Sequence, residues 1–125
     1  MQSCIAIDDD PLMLHNYEMI LSSINWINLV GTFTSPVKAA ASIITLQPDI
    51  IFLDLYMPHV EGYALLDWIQ PRLKEMNYTP KIIIVSADPT VTIENENLVV
   101  GQLDKSVFVS SADLEMKLKG FLNRS

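Results

Sequence analysis

Short apolar runs alternate along the chain with longer segments in which apolar residues recur at helical spacing. Five runs of four to seven mainly apolar residues are typical of strands, and the third (IIFL) is wholly apolar, as in a strand buried on both faces. The predicted strands are residues 3–7, 27–33, 50–53, 81–85 and 98–103. The alternation of strands and helices predicts an α/β domain whose parallel sheet carries helices on both faces.

Three of the predicted helices begin with a clear signal. Asp10 and Ser35 each precede a proline, which is the order of an N-cap and a first helical residue. Asp10 is therefore interpreted as a helix cap rather than a ligand, and Ser110 or Ser111 caps the last helix. Helical spacing places one set of apolar residues on the buried faces: Leu14, Tyr17, Leu21, Ile24, Ala39, Ile43, Leu46, Leu114, Leu118, Phe121 and Leu122.

Two further helical segments are less regular. One helix is predicted from about Gly62, and Pro71 inside its pattern predicts a kink or a restart. Residues 88–97 (DPTVTIENEN) combine threonines, asparagines and a proline with little apolar periodicity, so we expect a degenerate fourth helix there. A chain of 125 residues fits one domain, and five strands favour the flavodoxin-like order 2-1-3-4-5.

Composition and charge indicate which classes of partner and which cellular compartment to expect. Fifteen acidic residues against eight basic ones give a net charge of −7, so we expect no direct nucleic-acid binding by this chain. Cys4 is the only cysteine, and the longest apolar run is too short to span a bilayer. No basic, apolar leader opens the sequence. These features predict a cytoplasmic protein without a membrane segment.

Polar side chains follow the predicted strands at the points where those strands end. Asp8 and Asp9 follow the first strand, Asp54 the third, Ser86 the fourth and Lys105 the fifth. Parallel strands end at one edge of the sheet, so we expect these side chains to converge. Two carboxylates about 4 Å apart repel by roughly 4 kcal/mol, so such a cluster either raises a pKa or binds a hard cation. Carboxylates suit Mg²⁺, and a lysine and a hydroxyl beside them suit a phosphoryl group.

Four stretches, CIAIDDDP, IIFLDLYMPHVEG, IIIVSA and LDKS, resemble the landmarks of response-regulator receiver domains of two-component signalling. They occur in the family's order along the whole chain, so the resemblance implies a CheY-like receiver domain over residues 1–125. Residues 4–58 are most similar to receivers that are attached to LytTR-type DNA-binding domains. Each motif alone would be weak, but their combination is specific.

The resemblance implies a role for each residue that matches a receiver motif. Asp54 matches the phosphoacceptor, Ser86 the switch hydroxyl that binds a phosphoryl oxygen, and Lys105 the lysine that pairs with the phosphoryl group. The metal ligands for Mg²⁺ would be Asp8, Asp9, Asp54 and the backbone carbonyl of Tyr56.

The resemblance also implies partners and a class of function. A sensor histidine kinase would donate the phosphoryl group, and the change at the site would switch contacts with a partner or an output domain. A LytTR-type DNA-binding domain following this chain and a homodimer are both expected partners of such a receiver. The domain would catalyse only its own phosphorylation and dephosphorylation, so it is not expected to be an enzyme with an external substrate.

Three features depart from the family pattern. Ser106 stands where receivers usually carry a proline joined by a cis bond, and we expect a trans bond here, because a cis bond before a non-proline residue costs about 2.5–4 kcal/mol. Gln102 stands where receivers usually carry an aromatic switch residue, and residues 88–97 are poorly helical. We hypothesise that Asp54 still accepts phosphate while coupling to partners is altered.

The sequence is compatible with two alternative functions. Gln102 and Ser106 are compatible with a receiver-like module that signals by contacts alone, without phosphorylation. A haloacid-dehalogenase-like phosphatase would use the D-x-D pattern of residues 8–10, with Ser86 and Lys105 in that family's order. That enzyme also needs an acidic pair after the lysine, and here the only acids downstream lie on a predicted helix.

Overall fold

The computed structural model describes residues 1–54, 62–86 and 98–122. The strands within these ranges are β1 (Gln2–Ile7), β2 (Ile27–Phe33), β3 (Ile50–Leu53), β4 (Lys81–Ser86) and β5 (Val99–Asp104). The described α-helices are α1 (Pro11–Leu21), α2 (Pro36–Leu46), α3 (Gly62–Met76) and α4 (Ser111–Phe121). A short 3₁₀ helix, Lys105–Val109, joins β5 to α4.

The five strands form one parallel sheet in the order β2-β1-β3-β4-β5, which confirms the predicted fold and strand order. β1, β3 and β4 lie inside the sheet, and this explains their apolar sequences, because an interior parallel strand is covered on both faces. Residues 88–97 lie outside the described residues, so the degenerate fourth helix stays a prediction.

Helices cover the two faces of the sheet in pairs. Buried residues of α1 and α4 pack on one face, together with Phe52 of β3 and Leu103 of β5. Buried residues of α2 and α3 pack on the other face, together with Ile5 of β1 and Ile84 of β4. None of the helices in the described ranges is long and apolar enough to cross a bilayer.

The predicted helix caps are present. Asp10 accepts a hydrogen bond from the Leu12 amide (3.0 Å) at the start of α1. Ser35 is the N-cap of α2, and Ser110 rather than Ser111 is the N-cap of α4, where its hydroxyl accepts from the Asp113 amide (3.3 Å). These contacts satisfy amide groups that have no partner within the helix.

Two local features differ from the sequence-based expectation. Of the kink or restart predicted at Pro71, the restart is absent, because α3 is continuous from Gly62 to Met76. Pro71 is exposed, so water can bond the carbonyl that loses its amide partner. Leu46 is 48% exposed rather than buried, because it is the last residue of α2 and the chain turns away at once. Gln47 makes that turn in the left-handed conformation, with φ of 46°. Periodicity alone does not show where a helix stops packing.

β5 is held against α4 by a close contact that needs glycine. A Cβ atom added at Gly101 would lie 2.5–2.6 Å from three carbon atoms of the Phe121 ring. Phe121 packs on the core face formed by α1 and α4. The absence of a side chain at Gly101 therefore lets the aromatic ring seat on the edge strand that leads to Lys105.

We predict that Gly101→Ala lowers the free energy of unfolding by about 1–3 kcal/mol, because the added methyl group overpacks against the Phe121 ring. Urea unfolding followed by circular dichroism measures this change. Gly120→Ala is the matched control: apart from the backbone of α4 itself, no atom of the described residues lies within 4 Å of the added Cβ. Gly120 is the next-to-last residue of α4, so alanine there should not destabilise the protein, because glycine is the poorer helix former. Equal effects of both substitutions would contradict the packing explanation.

Candidate functional site

The predicted site residues converge at the carboxyl edge of the sheet. Asp8 and Asp54 directly follow β1 and β3, Ser86 ends β4, and Lys105 directly follows β5. The backbone extends the sheet as far as the two aspartates: the Asp8 amide donates to the Phe33 carbonyl and the Asp54 amide to the Ile7 carbonyl, both at 3.0 Å. These backbone hydrogen bonds fix where each carboxylate leaves its strand.

Lys105 lies between two buried carboxylates. Its Nζ is 3.0 Å from Asp8 Oδ2 and 3.4 Å from Asp54 Oδ2. The Asp8 and Asp54 side chains are 0% and 3% exposed, whereas the lysine side chain is 28% exposed. Asp8 Oδ1 also accepts a hydrogen bond from the Asp10 amide at 2.9 Å. Lys105 and Asp8 thus form an ion pair through one carboxylate oxygen of Asp8, while the other oxygen accepts from the Asp10 amide.

For each of Asp8 and Lys105, burial and the neighbouring opposite charges shift the pKa in opposite directions. Burial raises the pKa of Asp8, while the Asp10 amide and the Lys105 ammonium partly offset that rise and the charge of Asp9 adds to it. Burial alone would lower the pKa of Lys105, but its contacts with Asp8 and Asp54 outweigh that effect and raise the pKa. The lysine is therefore held in its charged form, while burial of Asp8 is only partly offset by its neighbours.

The donor set suits a hard divalent cation. Asp8, Asp9 and Asp54 each offer a carboxylate oxygen, and these oxygens lie within 4.8 Å of one another. When ionised, three carboxylates against one ammonium leave two negative charges, which a divalent cation would balance.

Exposed Asp10 caps α1, in agreement with its prediction as a cap. Tyr56, the predicted carbonyl ligand, lies outside the described residues.

Ser86 and the neighbouring residues of β5 form the remaining part of the carboxyl edge of the sheet. Ser86 is fully buried at the end of β4 and pairs in register with Asp104 of β5. Two positions earlier, Gln102 pairs with Ile84. The Gln102 Nε2 atom is buried and has no hydrogen-bond partner in the described part of the chain. Where the family resemblance led us to expect an aromatic side chain, the sheet therefore carries a buried amide donor that no described residue satisfies.

The bond after Lys105 is trans, as predicted: there are no cis peptide bonds within the described ranges, which include residues 105 and 106. Instead of a proline, the turn has a carboxylate cap. The Asp104 carboxylate accepts a hydrogen bond from the Ser106 amide at 2.9 Å, and the 3₁₀ helix begins at Lys105.

Tyr17, Phe52 and Phe108 form an aromatic cluster beside the site that the sequence patterns did not predict. The Tyr17 ring centroid is 4.5 Å from that of Phe108 and 5.4 Å from that of Phe52. Tyr17 is fully buried, and burial, followed by the charges of Asp8 and Asp54, raises its pKa well above the usual range. Its inward position on α1 was predicted, but helical spacing carried no sign that its neighbours would be the site residues.

Comparison with known proteins identifies the family. The model of the response regulator receiver domain matches residues 4–107. The transcriptional regulatory protein BtsR of Salmonella typhi is 29% identical over 83 residues, covering 66% of this chain and 33% of BtsR. An uncharacterised response regulatory protein of Vibrio vulnificus is 30% identical over 87 residues, covering 70% of this chain and 34% of that protein. The chain thus spans about one third of the length of these relatives.

Solved structures agree with the fold. The response regulator domain of Thermotoga maritima CheB has a TM-score of 0.78 at 23% identity, covering all of this chain and 98% of that one. The isolated receiver domain of RcsB from Salmonella enterica, in the presence of the phosphomimetic BeF₃⁻, has a TM-score of 0.77 at 23% identity, covering 98% and 88%. The family match and the fold agree, and this chain belongs to the family of response regulator receiver domains.

Proposed function

We propose that this receiver domain accepts a phosphoryl group on Asp54 from a sensor histidine kinase, in the presence of Mg²⁺. The observation that carries the proposal is the position of the Lys105 ammonium, which lies within 3.4 Å of Asp54 and 3.0 Å of Asp8. A cation beside a buried carboxylate is placed to bind the oxygens of a phosphoryl group that arrives there.

The metal would be held by side chains that the structure brings together. Asp8, Asp9 and Asp54 would bind Mg²⁺ through carboxylate oxygens, and the carbonyl of Tyr56 is proposed as a further ligand on the resemblance alone. When bound, the ion would neutralise the carboxylates and the oxygens of the incoming phosphoryl group. Without such neutralisation, the negative charges of the cluster would repel a phosphodonor.

The proposed reaction is one substitution at phosphorus. A carboxylate oxygen of Asp54 attacks the phosphorus atom and forms a new P–O bond. The bond between phosphorus and the donor breaks, and its electron pair leaves with the donor. Lys105 and the Ser86 hydroxyl would bind oxygens of the transferred group, so the product is an acyl phosphate on Asp54.

The output of this switch is proposed to differ from the usual receiver pattern. Gln102 provides a buried amide donor in place of an aromatic ring, and coupling to partners is expected to be altered rather than absent. Unchanged amide shifts across residues 88–108 on addition of the phosphoryl mimic BeF₃⁻, while those near Asp54 move, would show that coupling is absent. A LytTR-type DNA-binding domain, a homodimer and a cytoplasmic location also remain proposals; the name of BtsR, a transcriptional regulatory protein, is compatible with a DNA-binding output.

A second candidate is a receiver-like module that signals by contacts alone. The side-chain amide of Gln102 favours it: its buried nitrogen has no hydrogen-bond partner among the described residues, which is compatible with an altered response to phosphorylation. The phosphatase alternative has little support. Asp113 and Glu115 lie on α4 rather than at a strand end, so they are poorly placed to form the acidic pair that this enzyme needs after the lysine.

We predict that incubation with Mg²⁺ and acetyl phosphate adds one phosphoryl group to the protein, and that Asp54→Asn abolishes the addition. An amide oxygen is too weak a nucleophile to replace the carboxylate. Intact-mass spectrometry measures the adduct. Asp113→Asn is the control, because it removes the same charge from an exposed position. Absence of an adduct on the unmodified protein would favour the contact module, and an adduct that persists in Asp54→Asn would refute Asp54 as the acceptor.

We predict that Asp9→Asn weakens Mg²⁺ binding by about tenfold or more, because it removes one carboxylate from the cluster. Isothermal titration calorimetry measures the dissociation constant. Asp10→Asn is the matched control in the neighbouring position: it loses the same charge, but asparagine also caps a helix, so α1 is preserved. Equal weakening by both substitutions would show that the general charge of the loop, and not ligation by Asp9, attracts the ion.

A further inference from the structure

Lys105 has to cross the sheet to reach its partners. The strand order places β4 and β3 between β5 and β1, and neighbouring strands are about 4.8 Å apart, so β5 and β1 are separated by about 14 Å. Nevertheless Lys105 Nζ lies 3.0 Å from Asp8 Oδ2, beyond the end of β1. The lysine side chain must therefore lie across the sheet edge instead of continuing along β5. This requires the backbone to leave the strand direction at Lys105.

The backbone makes that change of direction in the 3₁₀ helix, which begins at Lys105. Asp104, the last residue of β5, is still extended, with φ of −77° and ψ of 141°. Its carboxylate oxygen Oδ1 accepts a hydrogen bond from the amide of Ser106 at 2.9 Å. Lys105 is the single residue enclosed between the acceptor and the donor of this bond, so the cap restricts the backbone from which the lysine side chain projects.

The other end of the 3₁₀ helix is anchored in the core. Phe108 is 3% exposed, and its ring centroid lies 4.5 Å from that of Tyr17 and 6.1 Å from that of Phe52. Tyr17 lies on α1, the helix that follows the aspartates of the first strand, and Phe52 lies two residues before Asp54. Phe108 thus packs against α1, which begins three residues after Asp8, and against β3, which ends just before Asp54. Val107 also packs on this core, whereas Ser106 and Val109 are exposed.

We infer that Asp104 is a positioning residue: its cap on the Ser106 amide directs Lys105 across the sheet edge to Asp8 and Asp54. The trans bond and the missing proline leave the direction of this turn to be set by other contacts, and the cap supplies one within the same three residues. The consequence for phosphoryl transfer rests on the proposed function, but the placement of the lysine can be measured without metal or phosphodonor.

The test measures access to the Lys105 amine. The metal-free protein is treated briefly with acetic anhydride, and peptide mass spectrometry gives the ratio of labelling at Lys105 to labelling at exposed Lys117. We expect Asp104→Ala to raise this ratio about fivefold, which corresponds to the loss of one N-cap hydrogen bond. Asp104→Gln should do the same, because glutamine is not an N-cap residue, and it provides a second test if the alanine variant does not fold.

Two control variants distinguish the effect of the capping hydrogen bond from the effect of the negative charge of Asp104. Asp104→Asn keeps an oxygen that can cap the turn but loses the charge, so its labelling ratio should equal that of the unmodified protein. Asp113→Ala removes an acid from an exposed position on α4 and should also leave the ratio unchanged. An unchanged ratio in the folded Asp104→Ala or Asp104→Gln variant would overturn the inference. An equal rise in Asp104→Asn would also overturn it, because charge rather than capping would then hold the lysine.

The outcome is distinguishable from failure of the proposed function. If the protein forms no adduct with acetyl phosphate but the labelling ratios follow the expected pattern, Asp104 still positions Lys105 and the phosphoacceptor proposal is wrong. If the adduct forms on Asp54 but labelling of Lys105 does not depend on the cap, the phosphoacceptor proposal stands and the role of Asp104 is overturned.

Discussion

The ion pairs of one lysine with two buried carboxylates are the interaction on which this edge of the domain depends. Asp8 and Asp54 end two neighbouring strands and are almost completely buried, a position that is costly for a carboxylate without a cationic partner. Lys105 comes from the far edge of the sheet and offsets part of that cost for both. The remaining negative charge makes the edge suitable for a divalent cation. Fold stability and site chemistry therefore depend on the same contacts.

Much of the fold and the site was predictable from the sequence, because the relevant patterns are local. Each strand is an apolar run, and each confirmed cap at Asp10, Ser35 and Ser110 acts within three residues. Once the strands are parallel, their carboxyl ends must share one edge of the sheet. The convergence of Asp8 and Asp54 with Lys105 then follows from their positions in the chain, without knowledge of any distance.

The features that escaped prediction depend on contacts between distant elements. The aromatic cluster joins α1, β3 and the 3₁₀ helix, and spacing within one element does not specify which rings will meet. A kink or a restart was expected at Pro71, but its exposure lets α3 continue through it without a restart. The sequence shows that Ser106 stands where receivers usually carry a proline, but it does not show which contact shapes the turn instead. The cap from Asp104 became evident only from the position of its carboxylate beside the Ser106 amide.

The central claim is that Asp54 is the residue that accepts the phosphoryl group. Borohydride reduction after reaction with acetyl phosphate and Mg²⁺ locates an acyl phosphate directly, because it converts the phosphorylated aspartate to homoserine, which peptide sequencing by mass spectrometry can place. The buried position of Asp54 beside the Lys105 ammonium predicts homoserine at residue 54 alone. Homoserine at residue 8 or 9 instead, or none anywhere in the chain, would contradict the claim.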